Sequence, residues 1–174
     1  MPSRQEYVIS ELSVLSWGAS VQRANLFRNE ATPGQRKDFR HRVLLFLATE
    51  VALNYLRAPS EQQHLGSIRR LSEVGGEFGE GILREPGYKI GVAQKRLNLH
   101  LKYLWCIGIV GEPPHCPVDR VMINKTHLKN QVAWTKIGDI REYERVIATL
   151  KLAAEPTGLS LARWELEIYD RADA

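Results

Sequence analysis

Long apolar runs are missing from this chain, and no stretch approaches the about 20 apolar residues that a membrane span needs. The opening residues MPSRQEYVISELSVLSWGAS lack the basic start and unbroken apolar core of a secretory signal, because Glu6 and Glu11 interrupt them. Cysteine is scarce. Cys106 and Cys116 are the only two, and their contexts form no secreted disulfide framework, so a reducing compartment is expected. These absences predict a cytoplasmic protein with no membrane partner. Internal repeats, low-complexity tracts and flexible linkers are also lacking, and no segment alternates apolar and polar residues well enough for a strand.

Several chemistries go with missing motifs. No GxxxxGK[ST] phosphate loop occurs, and the glycines at 75, 76, 79 and 81 follow no strand. GxSxG is absent, and Cys116 stands between His115 and Pro117 with no recognisable base arrangement, which disfavours an acyl-transfer hydrolase. His100, Cys106, His115, Cys116 and His127 show none of the paired CxxC, HxxxH or HxE-with-PCxxC spacings of zinc sites, so neither metal nor cofactor is expected.

What is present is helix periodicity. With 174 residues and 44% hydrophobic content the chain can bury a core without staples, as one domain over residues 1–174. A first helix is expected over 9–28. After the breaker ATPGQ, Phe39, Val43, Phe46, Leu47 and Val51 recur at spacings of three and four and predict a second over 36–57. Ser60 and Gln63 have capping-box spacing for a third, which the glycine-rich GGEFGEGILREPG then breaks. Asp139 with Glu142, and Ser160, mark two more starts. The expected fold class is all-α, with six or seven helices.

The central helix is expected over 92–107. At about 100° per residue, Ala93, Leu97, Leu101 and Leu104 share one side, while Val92, Leu99, Tyr103 and Cys106 lie roughly opposite. A helix apolar on two sides is packed between neighbours. One polar strip between the faces carries Gln94, Lys95, Asn98 and Lys102, the other Arg96 and His100. A lysine at the edge of a buried helix loses solvent, which lowers its pKa and frees the amine as a nucleophile; more commonly such lysines carry the ammonium out to water. Downstream, GEPPHCPVDRVMI holds three prolines in five residues, a stiff extended segment ending in Asp119. Asp119 is placed to cap a short helix, or to present a fixed carboxylate to Lys95, and both readings stay open.

Charge is unevenly spread. The net charge is +4, yet residues 84 to 136 hold nine basic and three acidic side chains. Such a field suits a polyanion or an ordinary solvated face.

PGYKIGVAQKRLNLHLKYLWCIG followed by CPVDRVMI resembles the core of the helix-hairpin-helix DNA glycosylases, most nearly the archaeal 8-oxoguanine glycosylase branch, over about 35 of the 174 residues. The hairpin differs from the tighter Pro-Gly-x-Gly arrangement usual there. The resemblance implies a nucleophilic lysine at Lys95 and a catalytic aspartate at Asp119, with Gly87 and Gly91 in the hairpin. It also implies DNA as partner, contacted through Gly87, Lys89, Gly91, Arg96, Lys102 and Arg120, and an extruded base lodged near Tyr103, Trp105, His115 or Trp134. The layout as a whole is also similar to uncharacterised bacterial proteins of this size, including ones carried on integron cassettes, a resemblance that implies no activity. Three functions therefore stay open: a glycosylase-like DNA-binding protein, active or degenerate; a homodimer or other protein-interaction module; and a helical small-molecule binder using Lys95, His115 and Asp119.

Overall fold

A computed structural model describes residues 3–169. Among them seven α-helices follow one another without a strand: α1 (Arg4–Val21), α2 (Pro33–Asn54), α3 (Glu61–Phe78), α4 (Ile90–Cys106), α5 (Arg120–Asn124), α6 (Ile140–Ala154) and α7 (Leu161–Ile168). The all-α class is as the sequence predicts, and no helix is long and apolar enough to cross a membrane.

Side-chain caps begin six of the seven helices. Ser60 and Gln63 form a reciprocal capping box for α3; Asp119, Asp139 and Ser160 cap α5, α6 and α7. Glu142 reaches back to the amide of Gly138 rather than to that of Asp139, so α6 has a single-sided cap.

The largest differences from expectation lie in α1 and α3. α1 starts at Arg4, because Ser3 and Glu6 make a capping box, and it stops at Val21, not near 28. The chain then turns through Asn25 in the left-handed region (φ 45°). Residues 26 to 28 pair instead with 82 to 84 in a single antiparallel bridge, with Arg28 N–H donating to Ile82 and Arg84 N–H to Leu26. α3 runs through Gly75 and Gly76 to Phe78 rather than breaking there. Gly75 lies under the Tyr88 ring, and a Cβ would stand 2.5 Å from Tyr88 Cδ1. Close packing therefore selects glycine inside the helix, overriding its low intrinsic propensity.

α4 is the axis of the domain and touches α1, α3, α6 and the 3-10 turn Trp134–Lys136. Ala93, Leu97 and Leu101 are fully buried, and each such leucine contributes about 1.5–3 kcal/mol through removal of apolar surface from water. The second apolar face is only partly covered. Val92 is buried, but Leu99, Tyr103 and Cys106 border a cavity bounded also by α1 and α7. Toward α4, α1 buries Ser13, Ser16 and Ser20 in place of large apolar side chains.

Candidate functional site

Lys95 lies on the second turn of α4, and Asp119 closes the proline-rich segment that passes over it. Their side chains meet, with Lys95 Nζ donating to Asp119 Oδ2 at 3.2 Å. The other carboxylate oxygen, Oδ1, accepts from the Met122 amide at 3.2 Å as the cap of α5. Asp119 thus fills both of the roles left open by the sequence. Its carboxylate has only 8% of its surface exposed and the Lys95 side chain 12%, so the pair is largely out of water.

Gln94 holds the two segments in register. Its Nε2 donates to the carbonyls of Gly91 (2.9 Å) and Val118 (2.7 Å), and its Oε1 accepts from the Val118 amide at 3.1 Å. Both backbone polar groups of the residue preceding Asp119 are therefore fixed to the helix that carries Lys95. Trp134 covers the amine from another side, with the Lys95 Nζ 4.5 Å from its ring centroid. Burial lowers the Lys95 amine below the ordinary lysine value; Asp119 opposes that shift, and the nearby Arg23 charge adds to it.

The pair opens into a cavity of about 120 Å³ lined also by Arg23, Arg120 and Trp134. Those three residues are shared with a groove of about 760 Å³ rich in amides and cations, including Asn124, Gln131 and Lys136. Lys95 and Asp119 also border, on another side, a cavity of about 460 Å³ lined by Leu99, Lys102, Tyr103, Glu165 and Tyr169. The amine therefore stands between a polar, basic groove and an aromatic-lined cavity.

The remaining predicted site residues divide. Arg120 is exposed and borders the basic groove; Gly87, with φ 95°, and Lys89 border a smaller cavity of about 200 Å³ beside it. Tyr103 lines the aromatic cavity. Four expected roles need correction. Arg96 is buried (1% exposed), donating to Ser13 Oγ at 3.0 Å and to Ser16 Oγ, so it fastens α1 to α4 and is not available to a polyanion. Gly91 is buried inside α4 with its N–H given to the Ile137 carbonyl at 2.9 Å, so it cannot bind a phosphate; its missing Cβ admits the Trp134 carbonyl. Trp105 lines none of the three cavities around Lys95 and lies under Arg163, 5.9 Å from its ring. His115 belongs to the core. It hydrogen-bonds Tyr143 Oη at 2.9 Å and Glu61 Oε1 at 3.2 Å, and burial pushes its pKa down to about 4.

Lys102, expected on the nucleic-acid face, pairs with Glu165 Oε1 at 2.8 Å and stacks its amine 4.8 Å from the Tyr169 ring centroid. Sequence reading did not single out Arg23, Gln94, Glu165 or Tyr169 for the site. Gln94 alone carried a signal, its place one residue before Lys95 on the polar strip; the others come from the turn after α1 and from α7 and its C-terminal end, distant in sequence. No family model, curated protein or solved structure matches the chain.

Proposed function

We propose that the chain is a DNA-binding, glycosylase-like protein that releases a base through the Lys95 amine with Asp119 beside it. The observation that carries this reading is a lysine of lowered pKa, held against a carboxylate at 3.2 Å, at the junction of a basic groove and an aromatic-lined cavity. The groove suits a phosphodiester backbone. The cavity suits a base turned out of its stack, since an enzyme acting on a base within a duplex must extrude it.

In this reaction neutral Lys95 attacks C1′ of the sugar. The C1′–N glycosidic bond breaks, and its electron pair leaves with the base. Asp119 stabilises the cationic, oxocarbenium-like sugar, takes a proton from the attacking nitrogen and returns it to the departing base. The ring then opens as the C1′–O4′ bond breaks, with O4′ taking a proton from solvent and C1′ becoming an iminium carbon bonded to Lys95. Borohydride supplies a hydride to that carbon and fixes the adduct as a secondary amine.

The test is trapping on duplexes carrying an abasic site, uracil or 8-oxoguanine. The proposal expects a covalent band with the wild-type chain and none with Lys95→Ala, together with DNA binding that weakens steeply as salt rises. No band and no salt-sensitive binding would turn attention to the second reading, a homodimer, for which exposed Tyr7, Val8 and Val14 on α1 speak. Sedimentation across a concentration series would then decide it.

A further inference from the structure

Three spaces meet around Lys95, and they join in a fixed order. The aromatic-lined cavity of about 460 Å³ shares Ala19, Lys95, Asp119 and Tyr169 with the cavity of about 120 Å³, which in turn shares Arg23, Arg120 and Trp134 with the basic groove. The base, sugar and phosphate of a nucleotide are joined in the same order. The middle space, at about 120 Å³, lies below the about 300 Å³ at which pockets for small organic ligands begin, so it suits a compact group better than a ring system. Its charged groups favour an anion. Arg23 lies in the turn after α1 and Arg120 opens α5; both are exposed, and among the described residues neither guanidinium has a hydrogen bond or an ion pair. Arg28, Arg84 and Arg163, by contrast, each donate to a protein oxygen. The Asp119 carboxylate in the same wall is offset by Lys95 at 3.2 Å, which leaves the two guanidiniums uncompensated there. Arg23 is near enough to Lys95 for its charge to add to the lowering of the amine.

We propose that Arg23 and Arg120 clamp one backbone phosphate flanking the target nucleotide in the smaller cavity, which sets the sugar against Lys95 and turns the base toward the larger cavity. The inference rests on the base-excision reading and specifies how that site seats its DNA. A phosphodiester carries one negative charge and two unbridged oxygens that only accept. A guanidinium offers several N–H donors in a planar fork, the geometry that pairs with phosphate. Contacts to phosphate fix the register of a protein on DNA without reading sequence, and this contact fixes which sugar faces the amine. The two arginines come from segments far apart in the chain, yet they line the same two spaces, so one phosphate can meet both.

The test is a double-mutant cycle with one member in the DNA. Equilibrium binding is measured for the wild-type chain and for Arg23→Gln/Arg120→Gln, a change of exposed side chains that leaves the core untouched. The duplexes carry a tetrahydrofuran abasic analogue whose 5′ or 3′ phosphate is either native or an uncharged methylphosphonate. Borohydride trapping of the wild type on a true abasic duplex is run beside it. The proposal expects one of the two methylphosphonates to weaken wild-type binding by about 10- to 100-fold, the size of a hydrogen bond between charged groups. The double variant is expected to lose about as much on native DNA and to show no further loss on that methylphosphonate. It also lowers the slope of log affinity against log salt by about one. Losses that add, or two methylphosphonates that bind the wild type as native DNA does, overturn the clamp, and trapping in the parallel arm then leaves the Lys95 chemistry standing. Coupled losses without trapping keep the clamp and remove the covalent step. Absence of both trapping and salt-sensitive binding removes the excision reading and this inference with it.

Discussion

Gln94 shows how one side chain turns a loop residue into a site residue. Fully buried, it uses its amide to hold both the N–H and the C=O of Val118, the residue before Asp119. Truncation strands two buried backbone groups at about 1–3 kcal/mol each. Gln94→Ala is therefore expected to lower stability by at least about 2 kcal/mol in urea unfolding and to weaken trapping on abasic DNA more than the loss of folded protein explains. Unchanged unfolding would show that Val118 finds other partners. Lys95 and Asp119 could each be picked out from local sequence, the first by its place at the border of an apolar face, the second by the rigid Pro-Val-Asp ending. What joins them could not. The Gln94 clamp spans 24 residues, and the Lys102–Glu165 pair spans 63, separations that helix periodicity does not reach.

Whole elements were legible where their signals are local. The caps at Ser60, Asp119, Asp139 and Ser160 start helices as their spacing predicts, because each acts within one turn. α3 escaped prediction at its glycines, since what holds Gly75 helical is the Tyr88 ring from beyond the helix end. Arg96 departs from the sequence expectation for a related reason. A helix that buries serines offers hydroxyl acceptors to a buried guanidinium, and composition alone presents that arginine as surface charge. The start of α4 carries its own constraint. A Cβ at Gly91 would stand 1.8 Å from the Trp134 carbonyl oxygen and 3.0 Å from its carbon. Gly91→Ala must displace the turn that places Trp134 over Lys95, at a cost of about 1–3 kcal/mol for overpacking. Chemical denaturation is expected to register that loss, and tryptophan emission to shift as Trp134 moves; an alanine variant with wild-type stability and emission contradicts this packing.

At the scale of the whole molecule, three neutral histidines lie in the core. Burial is the largest cause of lowered pKa in each: His115 goes to about 4, against the opposing pull of Glu61; His100 to about 3, with Arg96 adding; and His64 well below its ordinary value, with His115 adding. The unfolded chain binds protons at these positions below about pH 6.5, and the folded chain does not until the lowered values are reached. Stability therefore falls as pH drops from about 6.5 toward 4, by about 1.4 kcal/mol per pH unit for each histidine. Urea unfolding at pH 7 and pH 5 is expected to differ by on the order of 6 kcal/mol, and equal stabilities would place these imidazoles in water. The same architecture directs charge outward at Arg23, Arg120 and Lys136, around an opening lined by Lys95 and Asp119 that shares Arg23, Arg120 and Trp134 with the basic groove.

The proposed chemistry requires a covalent bond between the Lys95 amine and an opened sugar. Its most direct measurement is borohydride reduction with an abasic duplex, followed by proteolysis and mass spectrometry of the cross-linked peptide. The sugar adduct is expected on Lys95, within the peptide that α4 contributes. An adduct spread over surface lysines such as Lys125, Lys129 and Lys136, or no adduct at all, would contradict it.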